Sequence, residues 1–355
     1  MQKNLNQPRG PRIISWNTTL KCNLRCSHCY INAQDKPLKT ELTTVQGKQV
    51  IDQIAELGRC VLVLSGGEPL LRSDIFELAE YALQKNLIPT LGTNGTLIDK
   101  SVAERIRGVG IQKVAISLDS STPPVHDSFR GVEGAWDKAV AGIKACIDSD
   151  VEVQLNVTMT KQNYTDLDKI IEMAKGLGVK SMHLFFLVPT GRGRNLLDLS
   201  PETYEQLLRD ALSRNTIDFE VKPTCAPQFM RVAKQMGADV SRWSRGCIAG
   251  VSYCRILPDG QVTPCPYLPV SVGNMMATPL SHIWANSEVL NTLRDSSKLK
   301  GKCGKCDYNS VCGGCRARAY GLTSYCSGAS VQSTKAAVEG DFLAADPWCT
   351  YSPTK

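Results

Sequence analysis

The chain has 355 residues, 41 of them basic and 34 acidic, for a formal net charge of +7. That length can bury a sizeable core and suits two domains; no apolar run reaches the roughly 20 residues of a membrane helix, and residues 1–12 lack the apolar stretch of a secretory leader, so a cytoplasmic protein with no membrane partner is expected. The mild positive charge permits an anionic partner without demanding one, and the absence of a basic run interleaved with aromatics argues against nucleic acid.

Strand-like apolar runs at 13–16, 60–64, 87–91, 113–118, 151–157 and 182–188 alternate with helical periodicity at 45–57, 74–84, 101–107, 135–147 and 166–177. Such alternation implies an α/β fold with a parallel sheet. Right-handed crossovers curl it into a partial (β/α)6 barrel, with chemistry gathered at the carboxyl ends of the strands. Polar residues fall at those ends: Ser65-Gly-Gly-Glu-Pro69 after the second strand, Thr93 and Asn94 after the third, Ser117 and Asp119 at the fourth, Asn156 and Thr158 in the fifth, and Pro189-Thr-Gly-Arg192 after the sixth. Near residue 222 the character changes: nine of the fifteen cysteines lie from Cys247 to Cys349, with Cys225 just before them. The expected division is an extension over 1–11, a core domain over 12–221 and a small cysteine-rich domain over 222–355. Residues 324–339, rich in small polar side chains, read as an inserted surface loop.

Fifteen cysteines suit metal or cluster ligation better than disulfides in a reducing compartment. Cys22, Cys26 and Cys29 stand in a C-x3-C-x2-C loop, Lys21-Cys-Asn-Leu-Arg-Cys-Ser-His-Cys-Tyr30, directly after the first strand. Three thiolates on a cube of four irons leave one iron without a protein ligand. An open metal position is where a catalytic site takes its reactant. A second field comprises Cys303, Cys306, Cys312, Cys315 and Cys349, with Cys247, Cys254 and Cys265 upstream. Its spacing also suits a zinc ribbon. Cys60 and Cys146 read as small core residues. Cys225 is either a core thiol or part of a site lining, and Cys326 rivals Cys349 as a ligand.

The cysteine loop, taken with a complete Gly66-Gly67-Glu68-Pro69 stretch, resembles that of the radical S-adenosylmethionine (AdoMet) enzymes. The resemblance implies a [4Fe-4S] cluster on Cys22, Cys26 and Cys29. It also implies an AdoMet site that includes Tyr30, Gly66, Gly67, Glu68 and Pro69, with polar contacts from Thr93, Asn94, Ser117, Asp119, Asn156 and Thr158. The C-terminal cysteines resemble a SPASM-type or twitch-like domain carrying one or two auxiliary [4Fe-4S] clusters. That family's scheme assigns Cys303, Cys306, Cys312 and Cys349 to one cluster and Cys247, Cys254, Cys265 and Cys315 to the other. Its usual three residues between the last close pair are two here, between Cys312 and Cys315.

Stretches such as Phe185-Phe-Leu-Val-Pro-Thr-Gly-Arg192, Arg245-Gly-Cys-Ile-Ala-Gly250 and Asp346-Pro-Trp-Cys349 resemble the tetrapyrrole-modifying branch, the AhbD-type haem synthases and their NirJ-like relatives. That branch implies oxidative decarboxylation of iron-coproporphyrin III propionates to vinyl groups, with electrons from a donor such as ferredoxin or flavodoxin. Arg192, Arg194, Arg231, Arg245, Arg316 and Arg318 are the candidates for the substrate carboxylates, since guanidinium pairs with carboxylate in bidentate fashion. Rival readings are NirJ-like removal of acetate or propionate from a sirohaem-derived ring, SPASM-type peptide maturation, and a non-catalytic electron carrier.

Overall fold

The computed structural model describes residues 9–353 except 197–198, 242 and 327–339, and excludes the side chains of Asn195, Tyr325 and Cys326. Strand alternation decides which residues face the helices. In β1 (Ile13–Asn17) these are Ile14 and Trp16, and in β2 (Val61–Ser65) Leu62 and Leu64. The same parity buries Val114 and Ile116 of β4 (Lys113–Ser117), and Val153, Leu155 and Val157 of β5 (Glu152–Met159). Between β2 and β4 lies β3 (Ile88–Thr93), and after β5 come β6 (Ser181–Phe186) and β7 (Glu220–Thr224). The intervening residues of each strand, among them Ser15, Asn17, Ser117, Asn156 and Thr158, form the concave inner face.

The covering helices are α1 (Thr44–Glu56), α2 (Ile75–Gln84), α3 (Lys100–Val109), α4 (Pro123–Arg130), α5 (Ala135–Asp148), α6 (Leu167–Gly176) and α7 (Pro201–Ser213). Local chemistry sets their ends. Thr43 and Gln46 make a capping box at α1, and α3 runs from an Asp99 cap to Gly110 at φ +92°. The long periodic stretches land within a residue or two of expectation; α4 was not expected.

After α8 (Phe229–Met236), strand β8 (Tyr253–Ile256) returns to pair parallel with β1, so that Ile14 lies opposite Cys254. Two antiparallel strands, β9 (Gln261–Thr263) and β10 (Gly273–Asn274), extend that edge. The sheet order is β10-β9-β8-β1-β2-β3-β4-β5-β6-β7, a curled sheet with β10 and β7 at its edges. The boundary expected at 221/222 thus falls inside β7, and the cysteine-rich part contributes strands to the same sheet. Helices α9 (Leu280–Asn286), α10 (Glu288–Arg294), α11 (Gly301–Gly304) and α12 (Arg316–Cys326) complete it. Among the described residues no helix is long and apolar enough to cross a membrane.

Candidate functional site

The loop after β1 carries the first three cysteines. Its neck is closed by Cys22 N–H donating to Gln34 O (2.7 Å) and Gln34 N–H to Leu20 O (2.9 Å). Its far end is tied to α4 by Arg25 N–H to Arg130 O and Ser27 N–H to Phe129 O, both 3.0 Å. His28 stacks on Phe129 at 4.1 Å, and burial drives its pKa down to about 3, so the imidazole is a neutral wall of the loop. All three cysteines are half-buried and within electrostatic reach of one another. The amides of Leu24 and Ala33 point at the sulfurs of Cys22 (3.4 Å) and Cys29 (3.3 Å). Amides aimed at sulfur suit thiolate ligands of a cluster, whose potential such bonds help to set. Burial pushes the bare Cys22 thiol up to about 11, so loading iron displaces protons.

Gly66-Gly67 lies flush against the entrance of this loop. Gly67 N–H donates to Thr19 O (2.7 Å) and Glu68 N–H to Lys21 O (2.8 Å). A Cβ on Gly66 would stand 2.4 Å from Thr19 O, and one on Gly67 2.2 Å from Lys21 O. Close backbone approach therefore requires glycine at both places. Glu68 turns away into the core, fully buried: Oε1 accepts from Thr93 Oγ1 (2.7 Å) and Leu70 N–H (3.1 Å), Oε2 from Asn94 N–H (2.8 Å). Burial lifts its pKa to about 6 against those three donors. Glu68 thus joins loops together, and Pro69 opens the short turn Pro69–Leu71. Thr93 and Asn94, which donate to Glu68, are engaged in the same way, and Asn94 Nδ2 also reaches Asn23 Oδ1 at 2.9 Å.

Ser117, Asn156 and Thr158 do lie together on the inner face, with Ser117 opposite Asn156 in the sheet. Asp119 is 1 % exposed and fully engaged. Its Oδ2 accepts from Arg130 Nε (2.6 Å) and its Oδ1 from Thr158 N–H (2.8 Å). Arg130 holds its carboxyl below the ordinary range against the effect of burial. The same arginine extends Nη1 to within 3.7 Å of Cys26 Sγ. Nothing in the local sequence separates Arg130 from the other helix arginines or announces this role. Asn17, at the inner end of β1, is a further such residue: its Oδ1 accepts from Tyr30 OH (3.2 Å), while its fully buried Nδ2 has no partner among the described residues. An orphan donor beside Tyr30 and the cysteine loop fits a polar acceptor of bound AdoMet.

The second cysteine field divides in two. Cys303, Cys306, Cys312 and Cys349 line one cavity, together with Arg231, Tyr308, Asp346 and Tyr351. The amides of Asp346 and Tyr308 aim at the sulfurs of Cys303 and Cys306, both at 3.4 Å. The other group collects Cys247, Cys265 and Cys315. It abuts the first through Cys247 N–H donating to Cys312 O (2.9 Å). Cys254 is not among them. It is fully buried in the helix-side core, with Cys60 as its nearest thiol neighbour, because strand alternation points it away from the inner face. Cys225 lies with the Cys247 group instead. The rival Cys326 side chain is outside the described residues. Among the described residues no three His, Cys, Asp or Glu side chains converge tightly enough for a single metal ion, as a zinc ribbon needs.

Of the six candidate arginines, Arg192, Arg231, Arg316 and Arg318 are held by hydrogen bonds or ion pairs within the protein. Arg192 clamps the cysteine loop, donating from Nε to Cys26 O (2.8 Å) and from Nη1 to Ala33 O (2.9 Å). Arg231 pairs with Glu205 at 2.5 Å. Arg316 donates to the carbonyls of Phe342 and Ala344. Arg318 pairs with Asp346 at 3.4 Å, both fully buried. Arg194 is exposed on the turn over Gly191–Asn195. Arg245 packs on Gly313 with its Nε buried and unpartnered.

Comparison with known proteins agrees with this geometry. The profile of the Radical SAM superfamily matches residues 16–174, and that of the SPASM iron-sulfur cluster-binding domain matches 247–316. The AdoMet-dependent heme synthase of Methanosarcina barkeri is 40 % identical over 358 residues, covering 98 % of both chains. That of Nitratidesulfovibrio vulgaris is 36 % identical, over 97 % of this chain and 93 % of the other. In fold, the chain resembles Streptococcus suis SuiB bound to S-adenosylmethionine, with a TM-score of 0.75, 17 % identity, and coverage of 97 % of this chain and 78 % of that one.

Proposed function

The chain belongs to the radical SAM superfamily and carries a SPASM domain, and on that premise we propose that it makes haem by oxidative decarboxylation, converting two propionates of iron-coproporphyrin III to vinyl groups. The observation that carries this reading is the end-to-end similarity to an AdoMet-dependent heme synthase, 40 % over 98 % of both chains, in a molecule whose first cysteine group is one thiol short of a closed cube while further groups lie in the C-terminal part.

Cys22, Cys26 and Cys29 would hold a [4Fe-4S] cluster, which with AdoMet would supply the one-electron chemistry needed for hydrogen-atom abstraction from substrate. The protein's part is to hold and orient. Asn17 and the Gly66-Gly67 backbone hold AdoMet against the loop, and Arg192 and Arg130 keep the loop in place. Positioning the reacting carbon near the radical carries most of the rate. Turning one propionate into vinyl removes a hydrogen atom, carbon dioxide and one electron. The cysteine groups of the C-terminal part offer that electron a place to go, and Arg245 offers a guanidinium to a substrate carboxylate. We take the reductant to be a cytoplasmic ferredoxin or flavodoxin.

The test is anaerobic incubation of reconstituted protein with iron-coproporphyrin III, AdoMet and dithionite, followed by mass spectrometry. Loss of two formic-acid equivalents is expected. Loss of whole acetate or propionate side chains from a sirohaem-derived ring would favour the NirJ-like reading, and unmodified rings would favour a peptide substrate.

A further inference from the structure

Cys225 is the residue the sequence left undecided. It follows β7 directly, at the open edge of the sheet, and lies at φ +59°. A non-glycine residue in the left-handed region is held there by its surroundings, and such positions cluster at functional sites. The surroundings are visible. Arg318, fully buried on α12, donates from Nη2 to Cys225 O (3.2 Å) and to Leu187 O (3.1 Å). Through Nη1 it meets Asp346 Oδ2, which also accepts from Cys315 N–H at 2.7 Å. One buried ion pair thus ties the Cys225 backbone to the Cys315 backbone. Around it Cys225, Cys265 and Cys315 pack in one small apolar cluster with Val188, Leu268 and Tyr267.

Sheet parity excludes Cys254 from that place. On β8, Tyr253 meets Ser15 Oγ on the inner face, and Arg255 bonds Thr263 Oγ1 (3.0 Å) and Pro266 O (2.7 Å). Arg255 thereby holds the turn that carries Cys265. Cys254, between Tyr253 and Arg255, must face the other way. It sits opposite Ile14 in the helix-side core. To reach Cys265 it would have to turn the strand over, which would expose Cys254 and Ile256 to the inner face and bury Tyr253 and Arg255 among helices.

We infer that Cys225, with Cys247, Cys265 and Cys315, is the fourth ligand of the inner auxiliary iron–sulfur site, in the place that the family's scheme assigns to Cys254. The assignment rests on the iron–sulfur character of the SPASM domain and not on the identity of the substrate. It decides a functional question. Three thiolates at this site would leave an iron open to anchor substrate. Four close it, so the site serves electron transfer. With Cys303, Cys306, Cys312 and Cys349 around the neighbouring cavity, both C-terminal sites are then fully capped by protein.

The experiment uses the full chain with Cys22, Cys26 and Cys29 changed to Ala, so that only the C-terminal sites load, to about eight irons. Cys225→Gly suits the φ of +59° without strain, so a merely structural Cys225 would tolerate it. Expected for C225G is a fall to between about four and seven irons, with a three-iron EPR signal or the loss of one reduced-cluster signal. Expected for Cys254→Ala is full iron with an unchanged spectrum. Full iron and unchanged EPR in C225G, or loss in C254A alone, would overturn the assignment. Should C225G lose both sites, Cys225→Ser decides: iron near eight with an altered spectrum supports the assignment, and a wild-type spectrum overturns it. A wild-type chain that leaves iron-coproporphyrin III unmodified while this iron pattern holds refutes the proposed reaction and leaves the ligand set standing.

Discussion

Arg130 lies 2.6 Å from Asp119 Oδ2 through Nε and 3.7 Å from Cys26 Sγ through Nη1. The pair is buried, so the guanidinium is held between a carboxylate and a thiol of the three-cysteine loop with little water to screen it. A cation facing the sulfur favours the reduced cluster. A charge-assisted hydrogen bond is worth about 1.5–3 kcal/mol, which for one electron is about 60–130 mV. Because the donor faces the sulfur in both oxidation states, part of this cancels. Arg130→Gln is expected to lower the midpoint potential of the N-terminal cluster by several tens of mV, roughly half that range, and to leave the auxiliary potentials in place. An EPR-monitored redox titration reads both at once.

Gly67 is the tightest point between the Gly-Gly stretch and the cysteine loop. Its missing Cβ would stand 2.2 Å from Lys21 O, a backbone atom that cannot rotate aside. Gly67→Ala must therefore move Lys21 and, next to it, Cys22. AdoMet affinity is expected to fall by about tenfold or more, in line with overpacking costs of about 1–3 kcal/mol, with auxiliary iron retained. Equilibrium AdoMet binding and iron analysis check the two halves of that expectation.

His126 gives the AdoMet end of the barrel a pH dependence. Its Nδ1 accepts the Asp119 N–H at 3.1 Å, which requires a neutral ring. Burial drives its pKa to about 4; Asp119 and Asp127 oppose the shift and Arg130 adds to it. A base depressed on folding contributes stability that is full above its ordinary value near 6.5 and is lost as pH falls toward 4. At pH 5 the loss is about 2 kcal/mol. His126→Asn keeps an acceptor without the titration. The wild type should therefore lose about 2 kcal/mol more than H126N between pH 7.5 and pH 5 in anaerobic urea unfolding. Equal losses would show that His126 is not the titrating group.

What could be read from the sequence follows from how local each signal is. Apart from α4, the strands and helices up to residue 186 were legible because Ile14, Leu62, Val114 and Leu155 bury at period two and α1, α2, α3, α5 and α6 at period 3.6. The three-cysteine loop was legible because its cysteines lie within eight residues of one another. The side that Cys254 faces was not legible, because the family's scheme orders ligands along the chain, whereas a strand faces two ways. Once Tyr253–Ile256 is a strand, Cys254 must share the side of Ile256 and leave the side of Tyr253. The partners of the arginines were hidden for a related reason. Arg192, Arg231, Arg316 and Arg318 meet carbonyls and carboxylates far away in sequence, Glu205 and Asp346 among them, and no spacing announces such partners.

Asp346 links the two auxiliary sites. Its Oδ2 accepts from Cys315 N–H (2.7 Å), Gln228 Nε2 (2.7 Å) and Arg318 Nη1 (3.4 Å), and its own N–H points at Cys303 Sγ (3.4 Å). Asp346→Ala leaves the Arg318 charge buried without its counter-ion, and breaking a buried pair in this way costs about 3–5 kcal/mol. Asp346→Asn keeps an oxygen for the amide of Cys315 and loses only part of that. Because Cys315 and Cys303 belong to different cysteine groups, the alanine variant is expected to lose iron from both, more than C225G does, and to melt roughly 5–10 °C lower. Iron analysis and anaerobic thermal melts of the three variants, compared with wild type, order them D346A, C225G, D346N by iron lost. An Asp346→Ala protein with full auxiliary iron would mean that the two sites are held independently of this carboxylate.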